Sequence, residues 1–260
     1  REGELAVAGR LRAERIEITA DGGRLNLNDA TLDARAADGG LVRLSGRDGV
    51  RVDGASLIDV RATRDGARGG EALLDAGSGP VAVAASAQLQ AGDGRITLRS
   101  LRSGDGRGLQ AGPLSAPALQ AAEVVLEAVQ VYEGIASIRA GSSSAGVLGL
   151  ATVSADNAAF AALTTDALAL LGVAPEDRAR FSLRAGVEVR SNGALTLASP
   201  WNLATERPGG EAGALTLRAA GSLTLAASLG DGFVSTAANA APTGAADTWA
   251  LRLVAGADLG

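Results

Sequence analysis

The stretch that decides the fold is RLNLNDATLDARAADGG at residues 24–40, because VRVDGASLIDVRATRDGARGG at residues 50–70 repeats its pattern. A shift of 25 residues places Leu27 over Val52 and Leu32 over Leu57. Apolar and polar residues alternate in both stretches, which is the period of a β-strand. Repeats of this length are typical of coils that stack on one another and bury their inward residues on their neighbours. We therefore predict that Leu27 and Val52 point inward, one coil apart.

The same alternation continues along the chain as very short strands. Apolar–polar–apolar triplets such as Ile96-Thr97-Leu98 and Leu223-Thr224-Leu225 are separated by turns such as Asp48-Gly49. Glycine suits such turns because it adopts a positive φ, and aspartate can hydrogen-bond the backbone of its own turn. The sequence therefore predicts an all-β protein, a right-handed parallel β-helix or β-solenoid, with coils about 4.8 Å apart.

One segment, residues 154–181, has a helical rather than a strand period. Its apolar residues fall on one helical face: Phe160, Leu163, Ala167, Leu170 and Leu171. Asp156 is predicted to be the N-cap, Gly172 the stop, and Pro175 the start of a second short turn. We predict a short helical insertion here, between β-helix coils at residues 1–153 and further coils at residues 182–260.

Composition narrows the class of function. The net charge is −5 and every basic residue is arginine, so an extended nucleic-acid interface is not expected. No apolar run approaches the roughly 20 residues of a membrane span, so we expect no membrane insertion. Because the chain begins at Arg1 and contains no methionine, we expect it to be a piece of a longer protein.

The residue types give little support to catalysis. With no His and no Cys, the chain cannot form its own Ser-His-Asp triad, Cys-His pair or His-ligated zinc site. Its acidic residues lie mostly singly in Asp-Gly turns, so we predict a non-enzymatic chain with no cofactor and no metal. Two alternatives stay open. Carboxylates from stacked turns could converge into a carbohydrate-binding or carbohydrate-processing site of the polysaccharide lyase or hydrolase kind, and the turns could bind calcium.

The segment at residues 199–233, SPWNLATERPGGEAGALTLRAAGSLTLAASLGDGF, contains Trp201, one of only two tryptophans. A packing role is favoured, in which the Trp201 ring lies against a neighbouring coil, and the alternative is a ring that stacks on glycans. GALTL occurs at 193 and again at 213, so Leu195–Leu197 and Leu215–Leu217 are predicted to be equivalent strands on adjacent coils.

The path between those two strands supplies the candidate structural or contact motif. We predict that Pro208-Gly209-Gly210 turns the chain and that Arg207 pairs with Glu206 or Glu211. The candidate residues are Trp201, Arg207, Gly209, Gly210 and Glu211.

The C-terminal third carries a recognisable set of motifs, over residues 183–233 and 248–260. In order they are Leu195 to Leu197, Trp201 to Leu203, Arg207 with Gly209 to Glu211, Leu215 to Ala219, and Asp231 to Phe233. This block resembles the filamentous haemagglutinin family of large bacterial exoproteins of the two-partner secretion type. Residues 1–150 share with that family only the repetition of strands and turns.

The resemblance implies a structural and adhesive role. Such a protein would be secreted through an outer-membrane partner transporter, which contacts a secretion domain outside this chain. It would act at the bacterial cell surface by reach and display, with a host-cell or glycan receptor as its partner.

Overall fold

The computed structural model describes residues 3–106, 108–163, 167–207, 210–244 and 248–259. These residues are mostly β, with parallel sheets and two α-helices. The all-β prediction is therefore confirmed. The chain divides into two compact units, Arg1–Ala128 with Asp166–Leu183, and Val129–Thr165 with Arg184–Gly260.

Most of the described strands have six residues or fewer, as the sequence pattern predicts, but five of them run for 10 to 14 residues. The strands are β1 (Gly3–Arg12), β2 (Arg15–Ala20), β3 (Gly23–Asp33), β4 (Leu41–Gly46), β5 (Val50–Asp53), β6 (Leu57–Asp59), β7 (Glu71–Asp75), β8 (Val81–Val83), β9 (Gln88–Leu101), β10 (Ala111–Leu114), β11 (Leu119–Tyr132), β12 (Ser137–Arg139), β13 (Val147–Gly149), β14 (Phe181–Ser191), β15 (Leu195–Leu197), β16 (Trp201–Asn202), β17 (Ala214–Ala219), β18 (Leu223–Leu225), β19 (Leu229–Gly230) and β20 (Ala250–Ala255). The helices are α1 (Leu150–Leu163) and α2 (Ala167–Leu170), with 3₁₀ turns at Ala116–Ala118, Pro175–Arg180 and Leu203–Thr205.

In the first unit the strands form three parallel ladders. One ladder runs β2-β4-β7-β9, a second runs β3-β5-β8-β10, and a third joins the end of β3 to β6 and the start of β9. The chain visits the ladders in turn, so each passage, here termed a round, adds one strand to each ladder. β1 pairs along the whole length of β3.

Apolar side chains form columns along the ladders because residues of one register position align from strand to strand. The columns are Leu25–Val50–Val81, Leu27–Val52–Val83, Leu32–Ile58–Leu89, Val42–Ala72–Ile96 and Leu44–Leu74–Leu98. All of these side chains are buried. Burial of such columns is the main source of stability in stacked repeats.

The predicted register holds at one point and fails at the next. Leu27 pairs with Val52, as predicted, but Leu32 pairs with Ile58 and not with Leu57. In β3, two residues, 29 and 30, lie between the part that pairs with β5 and the part that pairs with β6. In the next round, three residues, 54–56, lie at the same corner. Gly54 turns this corner with φ +60°, and the Ala55 N–H donates to Asp29 Oδ1 at 2.8 Å. The shift between the rounds therefore rises from 25 to 26 residues.

The second unit repeats at a different distance. Gly186 pairs with Ala214, Leu195 with Leu223, and Trp201 with Leu229, all 28 residues apart and all parallel. The prediction that Leu195–Leu197 and Leu215–Leu217 occupy equivalent places is wrong. Leu215 instead pairs with Val187 and with Leu251. The two LTL strings lie in different ladders of one round. The same string occurs in both because strands of both ladders bury alternating Leu side chains.

The helical segment begins earlier than predicted. α1 starts at Leu150, directly after β13, so Asp156 lies inside the helix and is not its N-cap. The Ala151 N–H donates to the Gly141 carbonyl at 3.0 Å, a cap supplied from a loop that local sequence does not reveal. Phe160 is buried, Gly172 has φ +74°, and the 3₁₀ turn at Pro175–Arg180 is present as predicted.

The rest of the predicted apolar face is only partly covered by the structure. The side chains of Leu163, Ala167 and Leu170 lie outside the described residues. Neither described helix combines the length and the hydropathy that a bilayer crossing needs.

Candidate functional site

Trp201 lies in the core of the second unit. Its side chain is 2% exposed and belongs to a cluster with Val187, Leu195 and Leu203. Asn202 Oδ1 accepts a hydrogen bond from the Ala204 N–H at 3.2 Å, so the chain leaves the strand at once and turns Leu203 inward. The packing interpretation of Trp201 is confirmed.

The polar residues after Trp201 do not share one site. Arg207 Nη2 lies 3.1 Å from Oδ1 of Asp231, a partner that sequence reasoning missed. Glu206 accepts a hydrogen bond from Ser154 Oγ at 2.6 Å, and Glu211 lies 3.5 Å from Arg184 Nε.

The buried Asp231 side chain links two parts of the second unit. Its side chain is 7% exposed, and Oδ2 accepts a hydrogen bond from the Trp249 N–H at 2.7 Å. Gly210 has φ +86°, as a turn requires, and Gly209 lies outside the described residues. Among the predicted candidates, Trp201 and Arg207 thus serve packing and bracing of the second unit.

A second polar feature, in the first unit, was not predicted. Asp33-Ala34-Arg35 and Asp59-Val60-Arg61 occupy the same positions in consecutive rounds, with Asp33 paired to Asp59 in register. In each stretch, the arginine guanidinium donates two hydrogen bonds to the carboxylate of the aspartate two residues earlier. The distances are 2.8 and 2.9 Å for Arg35 and 2.9 and 2.7 Å for Arg61. The recurrence of Asp-x-Arg after 26 residues was visible in the sequence.

This Asp-x-Arg column places the carboxylates of Asp33 and Asp59 side by side. The neighbouring arginines offset the repulsion between these two negative charges. Arg35 Nε also lies 3.6 Å from Oδ2 of Asp59, whose side chain is only 5% exposed. The side-chain hydrogen bond from Arg35 holds the pKa of the Asp33 carboxyl well below its usual range. The reciprocal bonds raise the pKa of the Arg35 and Arg61 guanidinium groups. The Asp33 carboxyl is therefore held in the ionised form.

Further along the same ladder the column changes, and a groove opens. Gln90 pairs in register with Asp59, and Gly92 stands two residues later, where the earlier rounds have arginine. A groove of about 590 Å³ lies here, and its lining includes Arg61, Gln90, Gly92, Asp93, Gln120 and Arg180 together with apolar residues of β11. Because glycine has no side chain, the space that an arginine would fill is left open. We refer to it as the Gly92 groove.

Arg180 forms one wall of the Gly92 groove and is fixed by its neighbours. Its Nη1 and Nη2 donate to the carbonyls of Leu119 at 2.5 Å and Ala116 at 3.2 Å, and its Nε to Asp177 at 3.1 Å. Its guanidinium carbon lies 4.8 Å from the centre of the Phe181 ring. This wall is therefore preorganised.

The face beside the groove carries ion pairs in columns. Arg95 pairs in register with Glu71 and lies 2.7 Å from Glu123 on β11. Arg99 lies 3.1 Å from Asp75 and 2.6 Å from Glu127, with all three side chains largely buried. The signs alternate from strand to strand, and Arg99 is shared between two acids.

Among the described residues, no group of three or more His, Cys, Asp or Glu is arranged to hold a metal ion. Comparisons of the chain with family models, with curated proteins and with solved structures gave no match. The assignment of function therefore depends on the fold and on the residues described above.

Proposed function

We propose that this chain is a non-catalytic, right-handed parallel β-helical segment of a secreted bacterial surface protein, and that it acts by reach and display. The observation that supports this proposal is the regular register of the parallel ladders. Apolar columns form the core, and arginine–carboxylate pairs recur beside them in successive rounds. A chain of this kind presents surface along its whole length without needing a catalytic pocket.

The handedness of the proposed β-helix has a general physical basis. Parallel strands of one sheet that are joined by a crossover are connected in the right-handed sense in about 98% of cases. The first unit returns to each ladder after one or two intervening strands, and its columns hold Leu, Val, Ile and Ala. Small aliphatic residues suit an interior in which three short sheets face one another.

The cellular role is proposed from the resemblance at residues 183–260. The set of motifs from Leu195 to Phe233 is similar to that of filamentous haemagglutinins, which implies export through an outer-membrane partner transporter. The bacterial surface is then the place of action, and a host-cell or glycan receptor is the expected partner.

Labelling of intact cells tests this proposal. Antibodies raised against the purified chain should bind intact cells of the source bacterium and detect the protein in the medium. Both signals should be lost when the partner transporter gene is deleted. An antibody against a cytosolic protein serves as the control for leakage. Labelling that requires permeabilised cells, or export that persists without the transporter, would contradict the proposal.

A further inference from the structure

We propose that the Gly92 groove binds a neutral, polyhydroxylated ligand, that is, a short stretch of an uncharged glycan. This inference concerns a site in the first unit, apart from the C-terminal motifs on which the display function is argued. It does not depend on the route of secretion.

The groove has the size of a ligand site. Its volume of about 590 Å³ falls within the roughly 300–1,000 Å³ typical of small-molecule sites in proteins. At Gly92, which adopts φ +60°, the groove reaches the backbone because glycine has no side chain; a Cβ built there would lie 3.6 Å from Arg61 Cγ, at ordinary contact distance. A ligand can thus approach the backbone closely at this point.

The charges around the groove favour a neutral ligand over an anion. Arg61 is held by both oxygens of Asp59, and Arg180 by Asp177 and two carbonyl groups. Asp93 adds a further negative charge to the lining. An anionic ligand would have to compete with Asp59 for Arg61, and Coulomb repulsion from Asp93 would oppose its binding.

The remaining groups match hydroxyls. Each glutamine amide has two donor hydrogens and an acceptor oxygen, and a sugar hydroxyl both donates and accepts. Gln90 Nε2 donates to Gln88 Oε1 at 2.8 Å, which orients its amide and leaves the Gln90 carbonyl oxygen to accept from a ligand. Gln120 is exposed on the neighbouring strand, β11, and Asp93 adds carboxylate acceptors to the lining.

Saturation-transfer difference NMR suits this test because an open polar groove is expected to bind with a Kd on the order of 1 mM, about −4 kcal/mol. The probes are maltotriose, cellotriose and mannotriose as neutral ligands and trigalacturonate as the acidic one, at equal concentrations. At least one neutral trisaccharide should receive saturation, and more than trigalacturonate does. The Gln90→Ala/Gln120→Ala double variant should reduce the signal at least fivefold.

Two further variants make the result specific. Gln110→Ala removes an exposed glutamine outside the groove lining and should leave the signal unchanged. Gly92→Asn fills the groove with a residue that tolerates a positive φ and should abolish the signal. Circular dichroism should show that each variant remains folded. Preferential saturation of trigalacturonate, no binding by any probe, or equal loss in Gln110→Ala would overturn the inference, whereas the surface-labelling experiment would be unaffected.

Discussion

Replacing Trp201 by alanine should destabilise the second unit by about 3 kcal/mol. A tryptophan side chain buries roughly 200 Å², and Trp201 is only 2% exposed. At about 25 cal/mol per Å² this corresponds to about 5 kcal/mol of transfer free energy. The indole Nε1 of Trp201 is buried and has no hydrogen-bond partner among the described residues. An unpaired donor of this kind costs about 1–3 kcal/mol in the folded state, which the substitution removes.

The same reasoning makes a sharper prediction for phenylalanine. Trp201→Phe keeps most of the ring and deletes the unpaired N–H, so the free energy of unfolding should change by less than about 1 kcal/mol. Phe233→Ala is the matched control, since Phe233 lies in the same unit and is 45% exposed. Its effect should be smaller than that of Trp201→Ala, because a larger part of the Phe233 ring is already in water.

Urea unfolding followed by tryptophan fluorescence measures these differences. Trp249, 5% exposed, lies in the same unit and remains as the reporter in both Trp201 variants. Two results would refute the reasoning: a Trp201→Ala variant as stable as the parent chain, or a Trp201→Phe variant as unstable as Trp201→Ala. The first would mean that the ring contributes nothing to packing, and the second that the indole N–H has a partner.

Three other predictions concern acid, a glycine and catalysis. Because the hydrogen bond from Arg35 depresses the folded-state pKa of Asp33, its stabilising effect is present above the unfolded-state pKa of about 4 and is lost as the pH falls further. Thermal melts at pH 7 and pH 3 should therefore differ less for Asp33→Asn than for the parent, and equal differences would contradict this. Gly213→Ala should destabilise the second unit and shift the fluorescence of Trp249, since the new Cβ would meet the Ala185 carbonyl and lie 2.7 Å from Trp249 Cη2; an unaltered spectrum and melt would show the site to be looser than described. A panel of neutral and uronate polysaccharides should yield no new reducing ends or unsaturated products, and turnover that disappears on mutating an acidic residue would reverse that expectation.

Sequence periodicity was sufficient for the fold class but not for every register. The pairing of Leu27 with Val52 followed from alternation and a 25-residue shift, because both residues lie within uninterrupted strands. The pairing of Leu32 failed because the corner at residues 54–56 holds one extra residue, and corners tolerate such insertions. A shift measured on one ladder thus holds only as far as the next corner.

The error at GALTL has a different origin. The strings at 193 and 213 are identical because strands in different ladders of one round have the same alternation of buried Leu and less buried Thr. A correct period has to hold for all strands of a round together, and a shift of 28 residues does so for Gly186, Leu195 and Trp201. Sequence reasoning missed the groove for a related reason. Gly92 stands where Arg35 and Arg61 stand in earlier rounds, and this replacement is visible only when the rounds are aligned with their correct shifts.

The alternating ion-pair columns affect which strands pair with one another when the chain folds. The apolar columns are nearly interchangeable, so a strand that skipped its neighbour would still bury Leu or Val against Leu or Val. The charges are not interchangeable: if β7 met β11 directly, Glu71 would face Glu123 and Asp75 would face Glu127, without the arginines of β9 between them. Like charges on adjacent strands repel. These ion pairs therefore favour β9 as the strand between β7 and β11, a preference that the apolar columns alone would not provide.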